Sequence, residues 1–213
     1  MTAVRRVATP LALALFCSGV IGGSASGEVI GVVTGLSGSA TVERPTGAAP
    51  LQLALRGEIH EGDLLRTGLG ARLRITLRDD TVLSLGADSE LNLNQFIAAA
   101  RPGGVGRLFT LALGYLRTVV GRLQPDTVFE IRSPSMVAAV RGTDWIESYA
   151  GGTTEIFVAD GRVLATGTMD RDTNWVMLNA GEGVSFIAGA PHTPVVRWGQ
   201  EKISRFVDAT RVP

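Results

Sequence analysis

Cysteine is all but absent. The chain has one, Cys17, and it sits in the first apolar run rather than in the body of the sequence. An intrachain disulfide framework and a thiolate zinc site are thereby excluded. Histidine is nearly as scarce, with His60 in GEIHEGD and His192 in APHTP. Neither stands in a metal-ligand or catalytic spacing, and both read as turn residues facing solvent. Lysine is limited to Lys202, and the other 19 basic residues are arginines scattered along the chain. Scatter of that kind reflects base composition better than a planar-fork anion site. No charge predominates, with 20 basic and 20 acidic residues, so the basic footprint of a nucleic-acid binder is missing. Aromatics make up only 6% of residues, glycines number 27, and no long polar tract suggests disorder.

The long apolar run is confined to the N-terminus. MTAVRR places Arg5 and Arg6 ahead of VATPLALALFCSGVIGG and the small-residue stretch SASGE, the order of a secretory signal peptide with cleavage near Ser26 or Gly27. An uncleaved anchor is the alternative, since Val7 to Gly23 is just long enough to span a bilayer at ~17 residues. Phe16 is too bulky for a lipoprotein cleavage site, which removes Cys17 as a lipidated residue. The sequence therefore predicts a periplasmic or secreted protein whose mature chain has no membrane span. Loss of residues 1–27 leaves 18 basic against 20 acidic residues and no cysteine.

What remains alternates rather than repeating at helical spacing. LRITL, TVLSL and LNLN put apolar side chains on one face of an extended strand. Turn residues recur roughly every ten positions, at Thr67-Gly68, Arg78-Asp79-Asp80, Gly86-Ala87-Asp88, Asp160-Gly161 and Ala180-Gly181-Glu182, as in an all-β domain. LFTLALGYLRTVV fits both a strand and a helical face, and Gly114 tips it towards strand. A short helix is predicted near the C-terminus from Trp198, Lys202, Ile203, Phe206 and Val207, packed against the β domain. AAARPGGVGR is predicted to be a flexible connection. The expected organisation is a signal peptide over 1–27, a β domain over 28–190 and a tail with a short helix over 191–213. The expected fold is a right-handed β-solenoid of parallel rungs, with a β-sandwich as the alternative.

Motifs that could carry chemistry are few and incomplete. GLSGS has the wrong spacing for a nucleophile elbow, and Gly103, Gly104 and Gly106 lack the rest of a P-loop. Asp170, Asp172 and Asn174 open like a calcium loop, but Trp175 and Gly181 stand where Gly and Glu are needed. Glu58, His60, Glu61 and Asp63 cluster in what reads as a polar turn. No cofactor or metal is expected. A secreted carbohydrate-active β-helix enzyme would need convergent acids from among Asp79, Asp88, Glu90 and Asp144; a purely structural envelope protein would need none.

Several of these segments in order resemble the FecR-like domain family of bacterial envelope proteins. They are GVVTGLSGSATVER, EGDLLRTGLGARLRITLRDDTVLSLGADSELNL, LFTLALGYLRTVV, VFEIRSPSMVAAVRGTDWIE, EIFVADGRVLA and VMLNAGEGVSF, spanning roughly Gly31 to Phe186. The motif residues are Gly62, Asp63, Thr67, Asp79, Arg141, Gly142, Thr143, Gly161, Gly181 and Glu182. Asp80 replaces the glycine usual in the family, and the turn should survive because Asp tolerates left-handed backbone. The resemblance implies a non-enzymatic, extracytoplasmic all-β module that recognises a protein partner or a cell-surface component, in envelope signalling. MTAVRR is too short to be the cytoplasmic segment of the namesake regulators, and little chain follows Val184 for a receptor-docking subdomain. Direct contact with a sigma factor is therefore not expected. In SPSMVAAVRGTDWIE, Arg141-Gly142-Thr143 reads as a structural corner at which Arg141 holds a carbonyl or carboxylate, while Asp144 and Trp145 stand as candidates for partner contact.

Overall fold

The computed structural model describes residues 27–94, 96–98, 105–120, 128–140, 142–169 and 174–213. The predicted signal segment, most of the Pro-Gly connection, Arg141, Asp170 and Asp172 lie outside them.

Strands are numbered in chain order and fall into two groups. The first contains β1 (Val29–Ser37), β4 (Glu58–His60), β6 (Arg72–Leu77), β7 (Val82–Leu85), β13 (Asp144–Ala150), β14 (Thr153–Asp160), β17 (Glu182–Ile187) and β18 (Val196–Arg197). The second contains β2 (Ala40–Glu43), β3 (Leu51–Gln52), β5 (Leu64–Thr67), β8 (Glu90–Asn92), β9 (Phe96–Ala98), β11 (Val128–Arg132), β12 (Met136–Val140), β15 (Arg162–Gly167) and β16 (Val176–Asn179). One long strand, β10 (Val105–Val119), belongs to both. Sheet A therefore runs β4-β1-β6-β7-β10-β13-β14-β17-β18. Sheet B runs β3-β2-β5-β8-β10-β11-β12-β15-β16, with β9 beside β8 along β10. LFTLALGYLRTVV is strand, as predicted.

The passage of β10 between sheets occurs at Gly114. Leu113 is registered with Glu90 in sheet B, whereas Gly114 is already registered with Tyr149 in sheet A. Gly114 has φ +88°, and a Cβ there would lie 2.2 Å from Ser89 Oγ. That hydroxyl accepts the Tyr115 N–H at 3.0 Å. Only glycine meets both demands.

The expected parallel stacking of rungs is not what the ladders show. Among the described residues every ladder is antiparallel except β10–β11. RITLRDDTVLSL folds on itself as the antiparallel hairpin β6–β7 instead of stacking as a parallel rung. Its turn does survive the missing glycine, with Asp80 at φ +62°. The larger repeat is a hairpin folded over a corner. β5 pairs β8 in sheet B while the intervening β6 pairs β7 in sheet A. β12 pairs β15 in sheet B while the intervening β13 pairs β14 in sheet A. Each unit thus lays its base in one sheet and its tip in the other.

Alternation supplies the core between the sheets. In β6, Leu73, Ile75 and Leu77 are buried while Arg72, Arg74 and Thr76 are half-buried on the other face. Leu83, Leu85, Leu116, Trp145 and Ile156 join them from sheet A, meeting Leu65, Leu91, Leu111, Phe129, Ile131 and Val163 from sheet B. Each such side chain contributes about 1.5–3 kcal/mol on leaving water. Phe129 anchors the middle, with its ring edge-on to Phe109 at 5.4 Å and to Trp145 at 6.0 Å.

The predicted helix is α1 (Gln200–Ala209). It lies on the outer face of sheet A, where Phe206 and Trp198 cover Ile146 and Phe157. Glycines admit it. A Cβ at Gly183 would lie 2.3 Å from the Trp198 ring, and one at Gly86 would meet the Ala209 carbonyl oxygen at 2.9 Å. Past the helix, Arg74 donates to the Val212 carbonyl at 2.9 Å, fastening the chain end to β6.

Candidate functional site

The motif residues build corners. Thr143 Oγ1 donates to the Arg162 carbonyl at 2.9 Å, across the two points where β12–β15 passes between sheets. Thr67 Oγ1 donates to the Gly86 carbonyl at 2.6 Å at the corresponding corners of β5–β8, and accepts the Ser89 N–H at 2.9 Å. Corners take backbone groups out of the ladder, and a buried hydroxyl replaces the lost partner. Gly142 (φ +65°) and Gly161 (φ +82°) supply left-handed backbone at the first of these sites. Elsewhere Gly62 (φ +83°) and Gly181 (φ +85°) turn the chain. Asp79 accepts the Thr81 N–H at 3.1 Å, and Glu182 accepts the Asn179 N–H at 2.8 Å. That second bond and its side-chain companion hold the Glu182 carboxyl below its ordinary range. Arg141 itself lies outside the described residues.

The two candidates for partner contact are placed elsewhere. Trp145 is 0% exposed, in the inter-sheet core, so it presents nothing to a partner. Asp144 is held bidentately by Arg117, at 2.9 and 2.6 Å, and this bond raises the guanidinium pKa. Two of the acids weighed for glycoside chemistry, Glu90 and Asp144, are held apart along β10. Glu90 receives the Arg66 guanidinium at 2.8 Å and is registered with Leu113. Asp144 is registered with Val119, six residues further along β10, or ~20 Å at strand rise. Acid pairs in glycosidases stand about 5–9.5 Å apart.

His60, expected in solvent, is buried at the end of β4. Its backbone N–H donates to Asp63 at 2.8 Å, and Arg44 Nε approaches the same carboxylate at 3.9 Å. Burial raises the Asp63 pKa, opposed by that N–H and by the proximity of Arg44 and His60. The Gly62-Asp63 motif is thus a buried turn cap. Among the described residues no group of three or more His, Cys, Asp or Glu could hold a metal ion, and no helix is long and apolar enough to cross a membrane.

Three features had no sequence signal strong enough to be singled out. Glu147 is 0% exposed among core residues, where its carboxyl accepts the Trp145 indole N–H at 3.4 Å. Burial pushes its carboxyl up to about 8, so it is protonated at neutral pH. Its strand alternation places it inward beside Trp145, which could have flagged it. The second feature is a cavity of about 460 Å³ on the outer face of sheet A, between the β10 bend and the end of α1. Tyr115, Ser148, Tyr149, Thr153, Arg72 and Asp88 are among its lining residues. The third is β16, at the end of sheet B. Among the described residues it is laddered only to β15. Met177 is 50% exposed on it, and Trp175, just before it, is 41% exposed.

Residues 63–164, from the buried Asp63 cap to β15, match the family model described as FecR protein. No curated protein matches the chain. Two crystal structures, at 2.50 and 1.65 Å, of a Parabacteroides distasonis protein provisionally assigned as an anti-sigma factor are similar to 68% of this chain. Each has a TM-score of 0.55 and 16% identity. This chain spans 63% and 64% of those chains, less than two thirds of their length, and at that identity the likeness is one of fold.

Proposed function

Because the chain carries a FecR domain over residues 63–164, we propose that it is a non-catalytic extracytoplasmic binding module of envelope signalling. Its partner is a protein or another component of the cell envelope, reached through an N-terminal export signal. The observation that carries this reading is the β16 edge. An edge strand offers unpaired main-chain donors and acceptors, and proteins that do not use such an edge usually blunt it with charge or proline. β16 reads VMLN and has neither. Strand addition would supply main-chain hydrogen bonds, with Trp175 and Met177 as side-chain anchors. The regulatory character of the FecR family supports a signalling role, and the separation of Glu90 from Asp144 along β10 supports binding over hydrolysis by that pair.

Photo-crosslinking in cells tests it. A crosslinking residue at position 177 should capture one reproducible protein, and the same residue at Leu69, a loop tip 91% exposed, should not. Trp175→Ala combined with Met177→Glu should abolish capture from a crosslinker at Asn179. Equal capture from both positions, or capture indifferent to the edge charge, would remove the edge as the site.

A further inference from the structure

The cavity at the β10 bend carries an inference independent of the β16 edge. We propose that it binds a short neutral saccharide.

The polar groups are available there. Among the described residues no hydrogen bond engages the hydroxyls of Tyr115, Tyr149, Ser148 or Thr153, or the carboxylate of Asp88, although all five line the cavity. A purely apolar ligand would strip water from these groups and return nothing, at a cost that grows with each unpaired group. Two tyrosyl rings and Leu113, 48% exposed, supply apolar surface beside them. Hydroxyls on its edge and C–H groups on its face make a pyranose the complement of such a lining.

Charge argues against an ionic ligand. Glu155, also in the lining, is already engaged by Lys202 and approached by Arg205 at 3.8 Å. Arg72 and Asp88 then contribute one charge of each sign. Neither an anion nor a cation finds a surplus partner, while carboxylate and guanidinium both form strong charge-assisted bonds to hydroxyls. A peptide in extended form is excluded by the floor, whose backbone is committed to the β10–β13–β14 ladders. The volume lies near the lower end of the ~300–1,000 Å³ range of ligand pockets, which suits a few sugar rings rather than a long groove-bound chain.

The position adds a consequence. Ala209, at the end of α1, is part of the lining, so an occupied cavity braces the helix against sheet A.

The test is an NMR titration of the exported chain with triacetylchitotriose, cellotriose and maltotriose, and with trigalacturonate as the charged comparison. At least one neutral trisaccharide should give saturable shifts centred on Gly114, Tyr115 and Tyr149. Asp88→Asn with Tyr149→Phe keeps the turn and the ring, and should weaken that binding at least tenfold. Leu113→Lys should block it from an exposed position, and Leu69→Ser should leave it intact. Absence of shifts with every neutral sugar, shifts centred away from the cavity, indifference to both lining variants, or tighter binding of trigalacturonate would each overturn the proposal.

Discussion

Glu147→Gln should abolish one segment of the protein's pH-dependent stability. The carboxyl is fully buried and accepts the indole N–H of Trp145, and burial pushes its pKa up to about 8 in the fold against an ordinary 4.5. Between those values the native state keeps a proton that the unfolded state releases. The unfolded chain therefore binds fewer protons, and folding stability falls as pH rises through that window. Each pH unit costs about 1.4 kcal/mol, so the segment is worth up to about 5 kcal/mol from pH 4.5 to 8. That is a large fraction of the ~5–15 kcal/mol by which domains are stable. Glutamine keeps the shape and an acceptor for the indole but does not titrate. Its own buried amide hydrogens cost something, which shifts the curve vertically without changing its slope. Urea unfolding followed by tryptophan fluorescence at pH 5, 6, 7 and 8 reads the slope directly. The native protein should lose stability across the series, and the gap between it and Glu147→Gln should move in favour of the variant at each step. A gap that stays constant with pH would show that the carboxyl is not carried protonated in the fold.

Thr143→Val should cost about 1–3 kcal/mol in thermal or urea unfolding, because it removes the hydroxyl that donates to the Arg162 carbonyl. Thr67→Val should cost a similar amount or more, since that hydroxyl both donates and accepts. If either variant is neutral, the corner hydroxyls are not staples. Gly183→Ala should push Trp198 off sheet A. The expected result is a C-terminal segment cut by protease well before the β-sheets, and unchanged protection would refute the close approach.

Local patterns in the sequence were enough for much of the fold. Alternation in RLRITL and VLSL gives strands whichever way they pair, because side chains of an extended chain point to opposite faces. Gly114 disfavours helix, and Trp198, Ile203 and Phe206 mark a helix that does pack on the sheet. The turn at Asp80 held because its left-handed backbone is set within a few residues. The direction of pairing was not legible. Parallel and antiparallel neighbours bury the same alternate residues, so the pattern in RITLRDDTVLSL is silent on which one forms. His60 was misplaced for a related reason: polar neighbours suggest solvent, but the Asp63 carboxylate turned back onto its backbone and took it inside.

The sequence by itself determined which residues are strand, which positions must turn and which ordered motifs resemble the FecR family, since each depends on neighbours along the chain. Only the tertiary structure decided that Trp145 is core, that Glu147 is buried beside it, that two nested hairpins share one plan, and that distant residues such as Arg72, Asp88, Tyr115 and Thr153 line one cavity. Those facts depend on which strands lie side by side and on how closely α1 can approach. These are matters of packing between segments far apart in sequence, and no local pattern encodes them.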